Sequence, residues 1–550
     1  MIKKIINKKT VLTFIAVSLI TLLGAFLRFY AIAKNPPSLN GDEISFGYTA
    51  YSILKTGRDE YGRFLPLVFQ SVGDYKNPVP GYLMLLSIKL FGLTDFAVRF
   101  PNALAGTLSI PVFFLFLKSL FKDKKVAFIG AFFLSISAWH IFYSRFAYEG
   151  IIASLFILLG IWFFMKILDS KALIWTFLSA FFFTLTMYTA FAPRLFIPAF
   201  ILYALVTNLS FFKKNWTKLI IFIGVCFVLG LPLLYVTLFQ GASTRLQMVL
   251  ISNDIEFSRY VLLKYFNSIS DLPLLFFFWI KRYLGYFDPG FIFFNGLDAT
   301  ILSPIGLGML YVFEIPFLIT GIFVFIKNKI PHKGLFTAWA LIGMLPDSLT
   351  NNQRHTGRLL HLFPILILLS TLGAIELYKL VMKIKKQYIK FAIFSIFGSF
   401  VVLVLIHAFL IISADFPRDK GESFDEGLTS AVLYVKDHQD SYKEIVFDPW
   451  HGVTGPYLVS NPYLYVLFYL KYDPSLYQRE SKVTSTDSSY LFKFDKYTFR
   501  KIDWVQDQNK KGVLFIGSPW SFPSDGLKKG QLLDTIYLSN KAPAYYIVTP

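Results

Sequence analysis

Long apolar runs separated by short polar connections dominate the chain. An apolar run of about 17–25 residues is long enough to cross the hydrocarbon core of a bilayer as a helix. The pattern predicts eleven such spans, at residues 11–33, 101–121, 125–141, 149–168, 172–190, 194–211, 218–239, 301–326, 334–350, 356–378 and 391–413. The chain is therefore predicted to be a polytopic α-helical membrane protein. The first run ends in Ala31-Ile32-Ala33, which also fits a cleavable signal, but its length favours a span.

Three polar segments lie between or after these spans: a loop at 34–100, a second loop at 240–300 and a tail at 414–550. In the loops, residues 44–56 and 257–270 have the pattern of amphipathic helices on a membrane surface. Residues 271–286 are apolar but short, which predicts an interfacial or re-entrant helix. Helix-like and strand-like runs alternate in the tail, at 428–438, 444–448, 462–472, 512–517 and 544–548. We therefore expect a transmembrane module, 1–413, and a small C-terminal α/β domain outside the membrane, 414–550.

Composition and charge agree with a membrane protein. The chain is 55% hydrophobic and only 16% charged, and its single cysteine, Cys226, excludes an intramolecular disulfide. A net charge of +20 would suit a nucleic-acid partner, but 21 lysines and only two acidic residues fall on six short segments, 1–10, 118–125, 166–171, 213–218, 327–333 and 379–390. This is the positive-inside pattern. It predicts a cell-membrane protein with a cytoplasmic N-terminus, an extracytoplasmic C-terminal domain and no nucleic-acid partner.

Arginine is rare, with 14 residues against 40 lysines, and none lies in those six segments. AT-rich coding would favour lysine wherever a bare charge suffices. The remaining arginines would then mark positions that need the planar, bidentate fork suited to phosphate or carboxylate.

Three arginines stand where helices are predicted to begin on the outer side. Arg194 opens the sixth span, whereas Arg354 and Arg358 precede and open the tenth, on one helix face with His361. A cation is unfavourable at a helix N-terminus unless an anion such as phosphate lies between them. The alternative is snorkelling at the membrane edge. Arg145 and Glu149, in a tight outer turn, would in the simplest case pair with each other.

The first outer loop contains the adjacent carboxylates Asp42 and Glu43. Acidic residues beside a membrane helix are costly unless they are used. Asp42 is a candidate general base that takes a proton from a hydroxyl. Alternatively, it only caps the 44–56 helix, where the Asp-Glu pair would favour the helix dipole.

Later in the same loop, Lys76 is a candidate to neutralise a phosphate leaving group, on a strip stiffened by Pro78 and Pro80; an ion-pair scaffold is the alternative. The chain has no phosphate-cradling glycine loop, HExxH motif or Cys/His metal spacing. Asp42, Glu43 and Asp74 could hold a divalent ion, but their spacing is not diagnostic. The sequence requires no cofactor and leaves a divalent cation undecided.

Several motifs then follow one another in a familiar order. Gly41-Asp42-Glu43-Ile44-Ser45-Phe46-Gly47 follows the first span, and Lys76-Asn77-Pro78-Val79-Pro80-Gly81-Tyr82-Leu83 follows later in the loop. With Phe91-Gly92, 96–101, Ser144-Arg145, 188–198 and 358–364, they resemble the GT-C glycosyltransferases, specifically the protein O-mannosyltransferase and aminoarabinose-transferase-like group (glycosyltransferase family 39 and relatives). The resemblance covers about residues 10–380. The histidine that protein mannosyltransferases often have before the prolines is absent, which leaves the acceptor class open.

The resemblance implies a hexosyl- or pentosyltransferase of GT-C type, in keeping with the eleven spans predicted from the apolar runs. It would move a sugar from a polyprenyl-phosphate donor to a protein, lipid or glycan hydroxyl at the outer face, with inversion. Catalytic roles would fall on Asp42 and Glu43, and donor-phosphate binding on Lys76, Arg194, Arg354 and Arg358. Further substrate-binding candidates are Asp74, Arg145, Tyr188 and His355.

Two other classes stay open. A transporter or lipid flippase would usually show internal repeats and charged or broken helices near the bilayer midplane. The spans here are nearly free of acids until their outer ends, and no repeat is visible. A catalytically inactive cell-envelope scaffold is the second alternative, against which the Asp42-Glu43 pair argues.

Overall fold

The computed structural model describes residues 8–71, 74–239, 272–299, 304–350, 354–480, 483–484, 491–523, 527–528 and 531–550. The amphipathic helix predicted at 257–270 lies outside these residues.

Helices make up most of the first 410 residues. In chain order they are α1 (Lys8–Phe29), α2 (Gly41–Thr56), α3 (Pro78–Phe91), α4 (Asp95–Phe121), α5 (Lys124–Ile136), α6 (Ala138–Ser144), α7 (Gly150–Asp169), α8 (Ile174–Met187), α9 (Pro193–Thr207), α10 (Leu209–Lys214), α11 (Trp216–Phe239), α12 (Leu272–Leu284), α13 (Ile315–Lys327), α14 (Lys333–Gly343), α15 (Leu345–Ser348), α16 (Phe363–Met382) and α17 (Gln387–Leu410). A short hairpin, β1 (Phe69–Ser71) with β2 (Asp74–Lys76), precedes α3.

The remaining residues alternate short helices and strands. The helices are α18 (Phe416–Lys420), α19 (Glu426–His438), α20 (Pro462–Tyr469), α21 (Pro474–Arg479) and α22 (Trp504–Asp507). The strands are β3 (Glu444–Phe447), β4 (Trp450–His451), β5 (Leu458–Val459), β6 (Val483–Thr484), β7 (Leu491–Phe494), β8 (Tyr497–Arg500), β9 (Val513–Gly517), β10 (Leu532–Tyr537) and β11 (Pro543–Val548).

The predicted class of fold is confirmed, but the predicted number of spans is not. Part of a helix lies in each of the eleven predicted segments. Among the described residues, six helices are long and apolar enough to cross a membrane, and the bent pair α5–α6 would make a seventh. The other apolar runs are shared between shorter helices and irregular chain; in the 301–326 segment, for example, the α-helix begins only at Ile315. The chain is a multi-pass membrane protein.

The chain divides into two compact units that do not coincide with consecutive stretches of sequence. The helical unit comprises Met1–Tyr30 and Asn102–Ile411, and the mixed unit comprises Ala31–Pro101 and Ile412–Pro550. The sequence places the first loop in the transmembrane module and predicts a domain formed by the tail alone. In the structure, this loop packs with the tail.

In the helical unit, α13 and α16 approach so closely that backbone touches backbone. A Cβ atom added to Gly373 would lie 1.8 Å from the carbonyl oxygen of Phe317, and one added to Gly321 would lie 1.9 Å from that of Leu369. Membrane helices commonly use small residues for such close packing. These glycines therefore determine how near the two helices lie.

Replacing Gly373 by leucine should consequently disrupt this pair of helices. Overpacking typically costs about 1–3 kcal/mol, and here the obstructing atom is a backbone carbonyl that has no rotamer to change. We expect a clear fall in the melting temperature of the purified protein in detergent. Gly398→Leu is the matched control, because a Cβ at Gly398 meets nothing within 4 Å. Equal melting temperatures for the two variants would contradict the close packing.

In the mixed unit, the tail forms a seven-stranded sheet in the order β10-β11-β9-β3-β8-β7-β6. The central strand β3 is parallel to both of its neighbours, β8 and β9. Helices α19 and α20 and strands β3, β9 and β11 coincide with the five runs predicted in the tail. The predicted α/β character of the C-terminal region is therefore confirmed.

Helix α2 occurs where the sequence predicts it, but ten of its sixteen residues are buried. These residues lie on all sides of the helix. A Cβ added to Gly47 would lie 2.7 Å from Val98 and 2.8 Å from the ring of Phe468. The prediction that this helix lies on a membrane surface is therefore wrong. Helix α2 is a core element of the mixed unit.

Acid should weaken the mixed unit through Asp507. Burial acts to raise the pKa of Asp507, but hydrogen bonds and charge from Arg500 and Lys510 outweigh it and lower the pKa below its usual value. Because the pKa of Asp507 is lower in the folded state, the ionised carboxylate stabilises the protein fully above the unfolded pKa of about 3.9. This contribution is lost as the pH falls from that value through the lower folded-state pKa. We expect Arg500→Met to melt at a lower temperature than wild type at pH 7, with the difference shrinking toward pH 3. A difference independent of pH would contradict this role.

Candidate functional site

The N-terminus of α2 presents the two adjacent carboxylates differently. Asn40 is the N-cap: its Oδ1 accepts hydrogen bonds from the backbone N–H groups of Asp42 (2.9 Å) and Glu43 (3.1 Å). In return, Glu43 Oε2 accepts from the Asn40 N–H at 3.1 Å, which completes a capping box. The alternative in which Asp42 only caps the helix is therefore wrong, because Asn40 is the cap. The Asp42 side chain is not needed to start the helix.

Glu43 is held inside the protein. Its side chain is 1% exposed, and Arg99 donates to both oxygens, from Nε to Oε1 at 2.9 Å and from Nη2 to Oε2 at 3.1 Å. Arg99 also donates to the carbonyls of Ile32 and Pro36 at 2.8 Å and to that of Ser38. The carboxylate proposed as catalytic from the sequence is thus committed to an ion pair and a helix cap. Its place in the structure fits positioning of the loop and not contact with a substrate.

Asp42, in contrast, has a side chain that is 69% exposed. Its Oδ1 lies 2.9 Å from the ammonium nitrogen of Lys76, which also donates to the backbone carbonyl of Asp42 at 3.2 Å. The Lys76 side chain is only 3% exposed and lies over the ring of Phe46. The carboxylate is therefore the member of the pair that solvent reaches, with the cation behind it.

The segment after Lys76 is a helix. The sequence predicts only a strip of chain stiffened by prolines there. Lys76 ends β2, and Pro78 occupies the first position of α3. Proline suits this position because its fixed φ matches a helix and its missing N–H would have no partner there. The side chain of Asp74 lies outside the described residues, so its predicted role stays a prediction.

In the helical unit, Arg358 and His355 converge on one buried carboxylate, Asp347, which is 1% exposed. Asp347 accepts hydrogen bonds from Tyr286 Oη (2.6 Å), the backbone N–H of His355 (3.0 Å) and Arg358 Nη1 (3.1 Å). Arg358 Nη1 also donates to Thr350 Oγ1 at 2.7 Å. These bonds fix the arginine head and the loop that carries it.

Arg354 is more accessible. It forms an ion pair with Asp288 at 3.4 Å, and both side chains remain partly exposed, at 39% and 46%. Its backbone is left-handed, with φ of 58°. The guanidinium lies against Gly285, where a Cβ would come within 2.9 Å of Arg354 Nη2. A side chain at position 285 would therefore displace it.

The predicted shared helix face of Arg354 and Arg358 is wrong. Residues 356–359 form turns, and the helical segment begins at Leu360 with a 3₁₀ turn, followed by α16 with Pro364 in its first turn. The two arginines are instead held by separate carboxylates. His361, expected on the same face, is buried and lies near Gly343.

His355 is held as a neutral ring. It stacks on Tyr148 with ring centroids 5.9 Å apart. Burial, followed by the charge of Arg358, lowers the pKa of His355 to about 3. The next residue, Thr356, bonds to Trp139 and Tyr143 of α6. This histidine therefore carries no charge at neutral pH.

The other predicted substrate-binding arginines lie at helix ends. Arg194 is the second residue of α9, as the sequence predicts; its Nε donates to the Met187 carbonyl at 3.1 Å, and its head lies over Phe191. Arg145 is 5% exposed and donates to the carbonyls of Leu27 (3.0 Å) and Tyr30 (2.8 Å) at the end of α1. Arg145 thus caps a helix C-terminus, a favourable place for a cation.

Tyr188, the remaining candidate, donates from its hydroxyl to the Leu229 carbonyl at 2.8 Å.

Asp347 is not among the residues predicted from the sequence. An acidic residue within an apolar run is itself a signal of function, and that signal was available at this position. Within the described residues, no three His, Cys, Asp or Glu side chains form a set that could hold a metal ion.

The chain is similar to known membrane glycosyltransferases. A family described as "Dolichyl-phosphate-mannose-protein mannosyltransferase" matches residues 75–235. A "Putative mannosyltransferase YkcB" from Bacillus subtilis (strain 168) is 28% identical over 214 residues, which cover 38% of this chain and 28% of that protein. ArnT from Cupriavidus metallidurans in the apo state superposes with a TM-score of 0.53 at 13% identity, over 98% of this chain and 99% of that one. The chain has the GT-C fold.

The GT-C fold of the membrane glycosyltransferases covers both units, since the similarity to ArnT extends over nearly the whole chain. A second structure of that protein, bound to undecaprenyl phosphate, superposes with a TM-score of 0.51 at 12% identity, over 98% of this chain and 97% of that one. The resemblance found in the sequence motifs is thereby confirmed. The aligned segment spans only 28% of the length of the Bacillus relative.

Proposed function

We propose that the protein is a membrane glycosyltransferase that moves a sugar from a polyprenyl-phosphate donor to an acceptor hydroxyl at the outer face of the cell membrane. One observation carries the proposal: an exposed carboxylate, Asp42, is paired at 2.9 Å with a buried lysine at the start of a buried helix. The GT-C fold makes this pair a candidate for the chemistry of sugar transfer.

In the proposed reaction, Asp42 accepts the proton of the acceptor hydroxyl. The hydroxyl oxygen then forms a bond to the anomeric carbon as the bond from that carbon to the phosphate oxygen breaks. The polyprenyl phosphate leaves with the bonding electron pair. Attack opposite to the departing phosphate inverts the anomeric centre. Glu43 and Arg99 would act by holding the Asp42 backbone.

Stabilisation of the departing phosphate would come from cations, since preorganised charge at a leaving group is usually the largest catalytic term. Arg354 is more exposed than Arg358, which is held ready by Asp347 and Thr350. Arg194 lies at the N-terminus of α9, where an anion is favoured. Lys76, buried behind Asp42, supplies positive charge beside the base.

Two comparisons support a lipid-phosphate donor. ArnT was crystallised bound to undecaprenyl phosphate, and the matching family is described by a dolichyl-phosphate-mannose donor. Mannose is therefore the first sugar to test. The acceptor is a hydroxyl of a protein, lipid or glycan. The lysine-rich connections support a cytoplasmic N-terminus and extracytoplasmic residues 414–550.

The test uses purified full-length protein in detergent or nanodiscs with undecaprenyl-phosphate mannose, glucose, galactose and arabinose. Release of free undecaprenyl phosphate is followed by mass spectrometry, with and without membrane and cell-wall extracts as acceptor sources. Time-dependent release with one donor supports the proposal. Movement of an intact donor across a vesicle bilayer without any release would instead favour a flippase, and folded protein that neither releases nor moves a donor would favour the inactive scaffold.

Replacing Lys76 by methionine should lower kcat by about 10–100-fold, because the carboxylate loses both its partner charge and its orientation. Lys55→Met is the matched control: it removes one positive charge from the same unit, at an exposed position near the end of α2. Initial rates with the active donor measure the effect. Equal rates for the two variants would exclude Lys76 from the reaction.

A further inference from the structure

Residues from the tail hold the chain immediately before Asp42. The Tyr465 hydroxyl, on α20, lies 2.7 Å from the carbonyl oxygen of Leu39 and 2.9 Å from Asp425 Oδ2. Tyr465 is fully buried, and burial next to Asp425 raises its pKa well above the usual value, so the hydroxyl keeps its proton. Leu39 precedes the N-cap residue Asn40. The position of the cap is therefore tied to a side chain that is distant in sequence by more than 400 residues.

The neighbouring contacts reinforce this attachment. The hydroxyls of Ser38 and Thr429 lie 2.5 Å apart. Tyr469, one turn beyond Tyr465 on α20, donates to Asp95 Oδ2 at 3.2 Å. Both contacts join the tail to the first loop. The chain that leads into α2 is thus bonded to α19 and α20 at consecutive residues.

The other end of α2 is held in the same way. The side-chain amide of Gln478, on α21, lies within hydrogen-bond distance of Ser52 Oγ (3.0 Å), Thr56 Oγ1 (3.2 Å) and the carbonyl of Asp59 (2.8 Å). Between the two ends, the ring of Phe468 packs against Gly47. Helix α2 is therefore fixed at its start, middle and end by the C-terminal residues.

We propose that the C-terminal region is a working part of the catalytic centre, in which Tyr465 and Gln478 are positioning residues that set the place of the Asp42 carboxylate. This inference rests on the proposed function of Asp42. Neither residue needs to touch the substrate. A displacement of about 1 Å at a reacting group can cost up to about 100-fold in rate. Asp42 lies three residues from the Leu39 carbonyl that Tyr465 holds, so loss of this bond lets its backbone shift.

The experiment compares Tyr465→Phe and Gln478→Leu with a matched control, Tyr497→Phe, in full-length protein. Tyr497 is also buried, and its hydroxyl bonds to Gln439 within the tail. The first readout is hydrogen–deuterium exchange of the peptide that covers residues 38–56. The second is kcat and donor KM with the undecaprenyl-phosphate sugar that wild type turns over.

We expect Tyr465→Phe to lower kcat about tenfold with KM changed less than twofold, and Gln478→Leu to lower kcat less. Exchange should quicken at the N-terminus of α2 in Tyr465→Phe and at its C-terminal end in Gln478→Leu, and it should stay unchanged in Tyr497→Phe. Equal exchange and kcat in all three proteins, or an equal loss of kcat in the control, would overturn the proposal. If wild type turns over no donor, the proposed function fails, and the exchange readout by itself then decides whether Tyr465 and Gln478 hold the Asp42 segment.

Discussion

Replacing Asp42 by asparagine should lower kcat for sugar transfer by about 100- to 10,000-fold, the range usual for loss of a general base. Asparagine preserves the shape of the side chain and cannot accept the proton. The donor KM should change little, because Asp42 is proposed to act on the acceptor. The measurement is release of undecaprenyl phosphate by the purified variant, with its melting temperature as a check on folding. The capping box should remain, since Asn40 and Glu43 form it without the Asp42 side chain.

A matched control is Asp534→Asn, which removes an exposed carboxylate on β10 of the same unit. It should transfer sugar at the wild-type rate. Full transfer by Asp42→Asn would place the base elsewhere. Asp74 would then be the next candidate in the loop, because Glu43 is held by Arg99.

Of the variants proposed for this protein, Arg99→Met should lose the most stability. The side chain is fully buried and serves one carboxylate and three backbone carbonyls. Breaking a buried ion pair by removing one partner typically costs about 3–5 kcal/mol, since the other charge is left buried without compensation. We expect the variant to melt far below wild type, or to express poorly.

The double variant Arg99→Met with Glu43→Met separates charge burial from loss of packing. It should recover part of the lost stability, because no unpaired carboxylate remains. Arg418→Met is the control for loss of an arginine in an exposed ion pair, where the side chain is 57% exposed, and it should change the melting temperature little. An Arg99 variant as stable as this control would show that the buried network contributes nothing.

The sequence identified the fold class correctly because that class rests on local signals. Apolar run length reports a membrane environment directly, and the tail alternates in a pattern that predicts its helices and strands. The start of α9 at Pro193 and Arg194 was likewise readable from the chain. The number of spans could not be predicted as well, because hydropathy does not show which part of an apolar run is helical. In the run before α13, for example, the α-helix begins only at Ile315.

The candidate site was only partly predictable. Asp42 and Glu43 are adjacent and chemically alike, and the helix turns one toward solvent and the other toward Arg99, 56 residues later. The sequence predicts a helix at Arg354 and Arg358 because the apolar pattern begins there, but residues 356–359 form turns. In the structure, Asp347, Asp288 and Thr350 hold the two arginines through contacts that no local pattern reports.

The sequence by itself determined that the chain lies in a membrane, that its tail is an α/β structure and that a carboxylate pair follows the first span. Hydropathy and side-chain periodicity are properties of neighbouring residues, so they survive without a fold. The tertiary structure alone decided which carboxylate is exposed and which lysine pairs with it. It also decided that residues 31–101 pack with residues 412–550. Burial and ion pairing depend on distances between residues far apart in sequence, from 34 positions for Asp42 and Lys76 to 426 for Leu39 and Tyr465. Only the folded chain defines those distances.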